Sequence, residues 1–185
     1  LYVNILDDYD IIIVQEIREV NGSAFEQLCN QLSNYTCVIS SRAGRSTSKE
    51  QYGVLYRNTT FSGEPLKLLD LHDFNPDTQN RWERPPLAVT FDVGGYVFTL
   101  YTIHTKPEDV ENELEALEEL VADKGNVVVL GDLNADCTYY NHVESPTFVD
   151  WHWVVDDQED TTVAKTDCAY DRLLLNEDAF GEYVR

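Results

Sequence analysis

Four polar side chains, Glu16, His104, Asp132 and Asn134, stand where strands are expected to stop, and a fifth, Asp171, lies within or near another strand. Residues 127–137, VVVLGDLNADC, show the pattern most sharply, with an apolar run that enters Asp132, Asn134 and Asp136 within a few positions. Each residue alone has an ordinary explanation. Glu16 could cap a turn, His104 could be a satisfied core histidine, and 132–136 could be an Asx-rich turn. Together they offer carboxylates for a hard divalent cation, an amide, and a histidine for proton transfer. That set suits phosphoryl chemistry. Acyl transfer is set aside because neither a G-x-S-x-G motif nor a Cys/His nucleophile signature accompanies it.

Such residues need strands whose ends converge, because scaffolded sites are built on loops at element ends. YDIIIVQEI (9–17) reads as a strand buried on both faces. Residues 23–33 read as a helix, with Ser23 and Glu26 at capping-box spacing. YTCVIS (35–40) and YGVLYR (52–57) are strands, and 41–51 is a polar loop. Residues 70–86 read as irregular. PLAVTFDVGGYVFTLYTIH gives two strands joined at Gly94-Gly95, a hairpin signal. A helix is expected from Pro107 to about 123, with Val110, Leu114, Leu117 and Val121 as its apolar stripe. VVVL, 148–155 and 169–175 complete the strands. Alternating strands and helices with hairpins predict a mixed α/β sandwich whose sheets are covered by helices.

Composition narrows the field. The chain has 185 residues, enough for the core of one domain spanning 1–185. No apolar run approaches the length of a membrane span. The 34 acidic residues outnumber 13 basic ones, for a net charge of −21. Such a surplus repels polyanions and, taken alone, opposes a nucleic-acid partner. With only five lysines, it points to adaptation to high salt, where screening is strong. The four cysteines show no zinc-ligand spacing. Their even count suits two disulfides in an oxidising compartment; four buried thiols are the other reading.

The blocks QE (15–16), GRSTSKEQY (44–52), ERPP (83–86), HTKP (104–107), GDLNADC (131–137) and DTTVAKTDCAYDR (160–172) resemble, in order and spacing, the deoxyribonuclease I family of the endonuclease/exonuclease/phosphatase superfamily. The resemblance covers nearly the whole chain. It implies a four-layer α/β sandwich of two packed mixed sheets flanked by helices. It also implies an endonuclease that hydrolyses DNA phosphodiesters with little sequence specificity. Glu16 and Asp132 match positions for catalytic Mg²⁺ or Mn²⁺. His104 matches a catalytic histidine oriented by Glu50, and Asp132 and Asn134 match residues that hold phosphate, metal and attacking water. Asp171 matches the carboxylate partner of a second catalytic histidine. Asp160, Thr162 and Thr166 match a structural Ca²⁺ loop, and Cys137 with Cys168 matches the family's disulfide. Arg18, Arg45 and Arg84 resemble positions that contact DNA, through phosphates and the minor groove.

The chain also departs from that pattern. The family's first strand, with an active-site asparagine, and its last strand, with the second histidine, have no counterpart here, so a fold truncated at both ends is expected. Ser48 stands where a tyrosine is common, and Asn80 stands where an acid serves a second calcium site. Cys29 and Cys37 match nothing in the family; they either pair, linking helix to strand, or stay free, and pairing is the expectation. The expected protein is a secreted, salt-adapted monomer. The other readings are a catalytically impaired or non-catalytic domain of the same fold, and a phosphodiesterase or phosphatase acting on a small substrate.

Overall fold

The computed structural model describes residues 2–183. Its elements run α1 (Tyr2–Leu6), β1 (Ile11–Ile17), α2 (Ser23–Gln31), β2 (Tyr35–Ile39), β3 (Gln51–Arg57), β4 (Leu66–Asp73), β5 (Leu87–Val93), β6 (Tyr96–Thr102), α3 (Val110–Val121), β7 (Val127–Asp132), β8 (His152–Trp153), β9 (Asp171–Leu175) and α4 (Glu177–Phe180). They form a three-stranded sheet, order β1-β3-β2, and a six-stranded sheet, order β4-β5-β6-β7-β9-β8. Among the described residues the small sheet pairs antiparallel throughout. In the large sheet β6 and β7 are parallel. Parallel neighbours need a long crossover, and α3 supplies it.

Side-chain alternation explains the layers. Along β3, Tyr52, Val54 and Tyr56 face Leu66, Leu87, Val89 and Phe91 of the other sheet, while Leu55 turns the other way toward Phe25 of α2. The run along β1 divides likewise, with Ile11 and Ile13 between the sheets and Ile12 and Ile17 under α2. Its continuous apolar reading therefore reflects cover on both faces. The stripe Val110, Leu114, Leu117 and Val121 of α3 packs on Ile103, Val127, Val129 and Leu174. Helix, sheet, sheet and helix make the four layers of the expected sandwich.

Several local expectations are corrected. Ser23 does not cap α2; Gly22 holds the cap position with φ 70°, and the Glu19 carboxylate accepts from the N–H groups of Asn21 and Ala24. β4 occupies the start of the stretch read as irregular, because a bulge between Leu68 and Asp70 breaks its alternation. The strand expected over 148–155 shrinks to His152–Trp153, since Phe148 is spent filling the core under α3. The Gly94-Gly95 hairpin forms as read, with φ 59° and 98° at its two glycines. Such positive angles are the requirement of a tight hairpin turn.

Candidate active site

The site begins with a fault in β1. Val14 pairs with Gly53 and Ile17 with Gln51, so two residues, Gln15 and Glu16, face Tyr52 alone. The bulge places Glu16 at φ 56°, a conformation that costs a non-glycine residue about 1–3 kcal/mol. It sends Glu16 toward solvent and Gln15 across to the large sheet. There the Gln15 amide donates to Thr102 Oγ1 and to the Ile103 carbonyl, both at 2.9 Å, and its Oε1 accepts from the Asp132 N–H at 2.9 Å. One side chain thus joins the two sheets at the start of the polar cluster. Gly131 makes room for it. A Cβ there would lie 2.3 Å from Gln15 Nε2 and 2.3 Å from the Ile103 carbonyl oxygen.

His104 is buried just beyond β6, and its N–H donates to Tyr52 Oη at 3.1 Å. Its Nδ1 lies 2.8 Å from Glu50 Oε1, and Arg84 Nε approaches the same oxygen at 2.6 Å. The Nε–H of Arg84 points instead at the His104 carbonyl, 2.8 Å away, and its Nη2 donates to the Thr105 carbonyl at 2.7 Å. Both Glu50 oxygens lack an aligned donor, so charge rather than linear hydrogen bonding holds this trio. Burial is the largest influence on the Glu50 carboxyl and pushes it up. The contact and charge of His104, with Arg84 and Arg18, together outweigh it and hold the group below its ordinary value.

Asp132 ends β7 on the other side of the ring, 3.7 Å from His104 Nε2. Burial pushes its carboxyl up, and the Glu16 charge adds to that. Asn134 follows in a left-handed turn at φ 47°; its N–H donates to Asp132 Oδ1 and its Nδ2 to the Thr105 carbonyl. Asp171 is the direct ladder partner of Asp132 on β9. Its carboxyl is pushed up by burial and by the Asp132 charge. One donor atom each from Glu16, His104 and Asp132 lie within 4.8 Å of one another. Two crowded carboxylates, Glu16 and Asp132, beside an imidazole are a fit for a hard dication, which prefers such oxygens.

The other expected residues fall in separate places. Arg18 is 60% exposed, 2.9 Å from Glu16 Oε2. Arg45 is exposed, with donors on the carbonyls of Trp82 and Asn80. Arg84 is only 13% exposed and turned inward. Asp160, Thr162 and Thr166 do meet: Asp160 Oδ1 accepts from the Thr162 N–H and hydroxyl, and that hydroxyl also contacts the Thr166 carbonyl. Cys137 pairs with Cys168, and Cys29 of α2 pairs with Cys37 of β2. Asp136 serves the turn, accepting from the N–H groups of Cys137 and Ala169. His72 packs on Phe74, His142 lies between Tyr140 and Trp153, and His152 contacts Glu177. Among the described residues these three histidines are all engaged away from Asp171.

Sequence reasoning passed over Gln15, Tyr52, Thr105 and Glu113 as site residues. Gln15 and Thr105 sit inside the QE and HTKP blocks, and that adjacency was the one available signal. Thr105 is fully buried and bonds the β7 end twice, through its N–H to the Asp132 carbonyl and its hydroxyl to the Leu133 carbonyl.

A family model described as the Endonuclease/Exonuclease/phosphatase family matches residues 2–180. Deoxyribonuclease-1-like 1 of Rattus norvegicus is 34% identical over 192 residues, covering 94% of this chain and 60% of the rat protein. Deoxyribonuclease-1 of Gallus gallus is 30% identical over 205 residues, covering 98% of this chain and 71% of the chicken protein. The chain thus spans about three-fifths to seven-tenths of the length of these curated relatives. In fold it is similar to the crystal structure of humanized D. rerio TDP2, with TM-score 0.68 at 15% identity, over 96% of this chain and 72% of that one.

Proposed function

The chain belongs to the endonuclease/exonuclease/phosphatase family, on its deoxyribonuclease I branch, and from that premise we propose that it is a divalent-metal-dependent endonuclease acting on DNA with little sequence specificity. The observation that carries this reading is the meeting of Glu16, His104 and Asp132 donor atoms within 4.8 Å, with Glu50 at 2.8 Å behind the ring. Glu50 orients the His104 ring through Nδ1, and the doubly protonated ring gives its Nε2 proton to the leaving oxygen as the phosphorus–oxygen bond breaks. Asp132, 3.7 Å from that nitrogen, takes the proton of the attacking water. Asn134 stiffens the turn that presents Asp132. Mg²⁺ or Mn²⁺ held by Glu16 and Asp132 would offset the charge of the phosphoryl oxygens.

DNA contact falls to Arg18 and Arg45 at the exposed rim, through phosphates and the minor groove, without readout of sequence. Arg84, turned inward, serves Glu50 in this reading. Asp160, Thr162 and Thr166 would hold a structural Ca²⁺ with one carboxylate, one hydroxyl and one carbonyl oxygen. Two disulfides support a secreted protein, and the −21 charge supports a salt-adapted monomer. No helix among the described residues is long and apolar enough to cross a membrane.

A second reading rests on Asp171, which stands beside Asp132 with no histidine partner among the described residues. It makes the chain a domain of the same fold with reduced or absent turnover, and the same reading takes in a hydrolase of small phosphodiesters, which the −21 charge favours because it repels polyanions. Incubation of supercoiled plasmid with the protein and Mg²⁺, Mn²⁺ or Ca²⁺, from low to molar salt, separates these. Nicking that His104→Ala and Asp132→Ala abolish is the expected result. Nicking that survives both variants, or none under any condition, would sink the endonuclease reading. Turnover of a small phosphodiester alone would favour the second.

A further inference from the structure

Glu113 is fully buried in the first turn of α3, among the apolar residues that pack that helix on the sheet. An aliphatic side chain would fill this space without the cost of burying a carboxylate. Its two oxygens are divided between two turns. Oε1 accepts from the Glu83 N–H at 2.6 Å, and Oε2 accepts from the Lys106 N–H at 3.1 Å. Trp82 adds a third tie, its Nε1 donating to the Glu113 carbonyl at 3.0 Å. Residue 83 precedes Arg84, and residue 106 follows His104 and Thr105. Arg84 joins the same two turns from the other side, through the His104 and Thr105 carbonyls, while standing 2.6 Å from Glu50.

We propose that Glu113 is a positioning residue for the reaction, its carboxylate clamping residues 83–84 to 104–106 and thereby setting the contact between Glu50 and His104. The proposal rests on the nuclease reading of Glu50, His104 and Asp132. Two backbone N–H groups need two acceptors. A carboxylate supplies both, whereas an amide of the same shape supplies one and turns a donor toward the other N–H. Burial pushes the Glu113 carboxyl up to about 7; the two N–H groups and Arg84 oppose this, and Asp109 adds to it. An acid raised by folding stabilises the fold most when protonated and loses that contribution as pH rises through its folded value. Glu113→Gln therefore mimics the more stable form while cutting one arm of the clamp.

The test compares the full chain with Glu113→Gln at pH above 8, by thermal unfolding, by plasmid nicking with Mg²⁺ or Mn²⁺, and by the nuclear magnetic resonance shifts of the His104 ring nitrogens, which report its contact with Glu50. The expected result is a Tm no lower than that of the parent, kcat reduced roughly tenfold or more with KM unchanged, and displaced His104 ring shifts. Should the glutamine variant not fold, Glu113→Asp, which keeps the charge but is too short to reach both amides, carries the same three measurements. Parental kcat and unmoved His104 ring shifts would overturn the proposal, as would Tm and kcat falling together with those shifts unmoved. Displaced ring shifts in a protein that nicks no plasmid would sink the nuclease reading while supporting the clamp.

Discussion

The cluster around His104 and the loop from Asp160 to Thr166 both gather oxygen and nitrogen donors, but they are assembled from very different lengths of chain. The first draws Glu16, Glu50, Arg84, His104 and Asp132 from five segments, and Gln15 alone bridges 117 positions to Asp132. The second closes within a few residues, Thr162 donating to Asp160 and contacting Thr166. Their electrostatics differ in sign as well. Burial pushes Asp132 up, while the Thr162 N–H and hydroxyl hold the exposed Asp160 carboxyl down. A polar turn organises itself from local hydrogen bonds. A cluster that perturbs its own charges needs the tertiary fold to desolvate it.

This contrast sets the expected size of each perturbation. His104→Ala and Asp132→Ala should each lower nicking of supercoiled plasmid roughly 10²–10⁴-fold, the usual worth of a positioned proton-transfer group, while Asp160→Ala changes it less than about tenfold. Equal losses at Asp132 and Asp160 would erase the distinction between the two regions. Glu50→Gln strands the inward Arg84 guanidinium, which is 13% exposed, without its carboxylate. Breaking a buried pair in this way should remove about 3–5 kcal/mol of stability in urea unfolding.

Loss of the Cys137–Cys168 bridge, which closes a separation of 31 residues, should cost about 3–4 kcal/mol on the loop-entropy estimate. It should slacken the Asp160–Thr166 loop before it disturbs His104, a difference that amide hydrogen exchange resolves. The smallest effects are in pH dependence, and they oppose each other. Glu113, raised to about 7 from 4.5, contributes stability below pH 4.5 that is lost as pH rises through 7, so Glu113→Gln should flatten the fall in Tm over that range. Asp160 is lowered, so its contribution is present above pH 3.8 and lost as pH falls through its folded value. A Tm difference between the parent and Asp160→Asn should accordingly appear at neutral pH and close in acid.

Much of the architecture was legible wherever packing repeats with a regular period. The α3 stripe, the paired glycines of the β5–β6 hairpin and the aliphatic run of β7 each repeat or punctuate over a short window. Reading failed where the period broke. The bulge in β4 hid a strand, and Phe148, fully buried in the α3 core, made residues 148–151 look like one. Ser23 stood at capping spacing, but Gly22 in the left-handed region took the cap. Within the site, Glu16, His104, Asp132 and Asn134 were readable because their types and the resemblance agreed, and Glu50 was readable through the resemblance alone. Gln15 and Glu113 were not, because their importance is a contact with distant backbone N–H or C=O groups.

The sequence by itself determined the family, the order of the regularly patterned elements, and a set of hard donors near strand ends. Those follow from residue type and short-range spacing, which no folding changes. Only the tertiary structure decided that Arg84 turns in toward Glu50 while Arg18 stays at the surface beside Glu16, and that Asp132 is raised while Asp160 is lowered. Charge behaviour depends on which groups are brought near and how much water is removed. Both are set by the packing of segments that lie far apart in the chain.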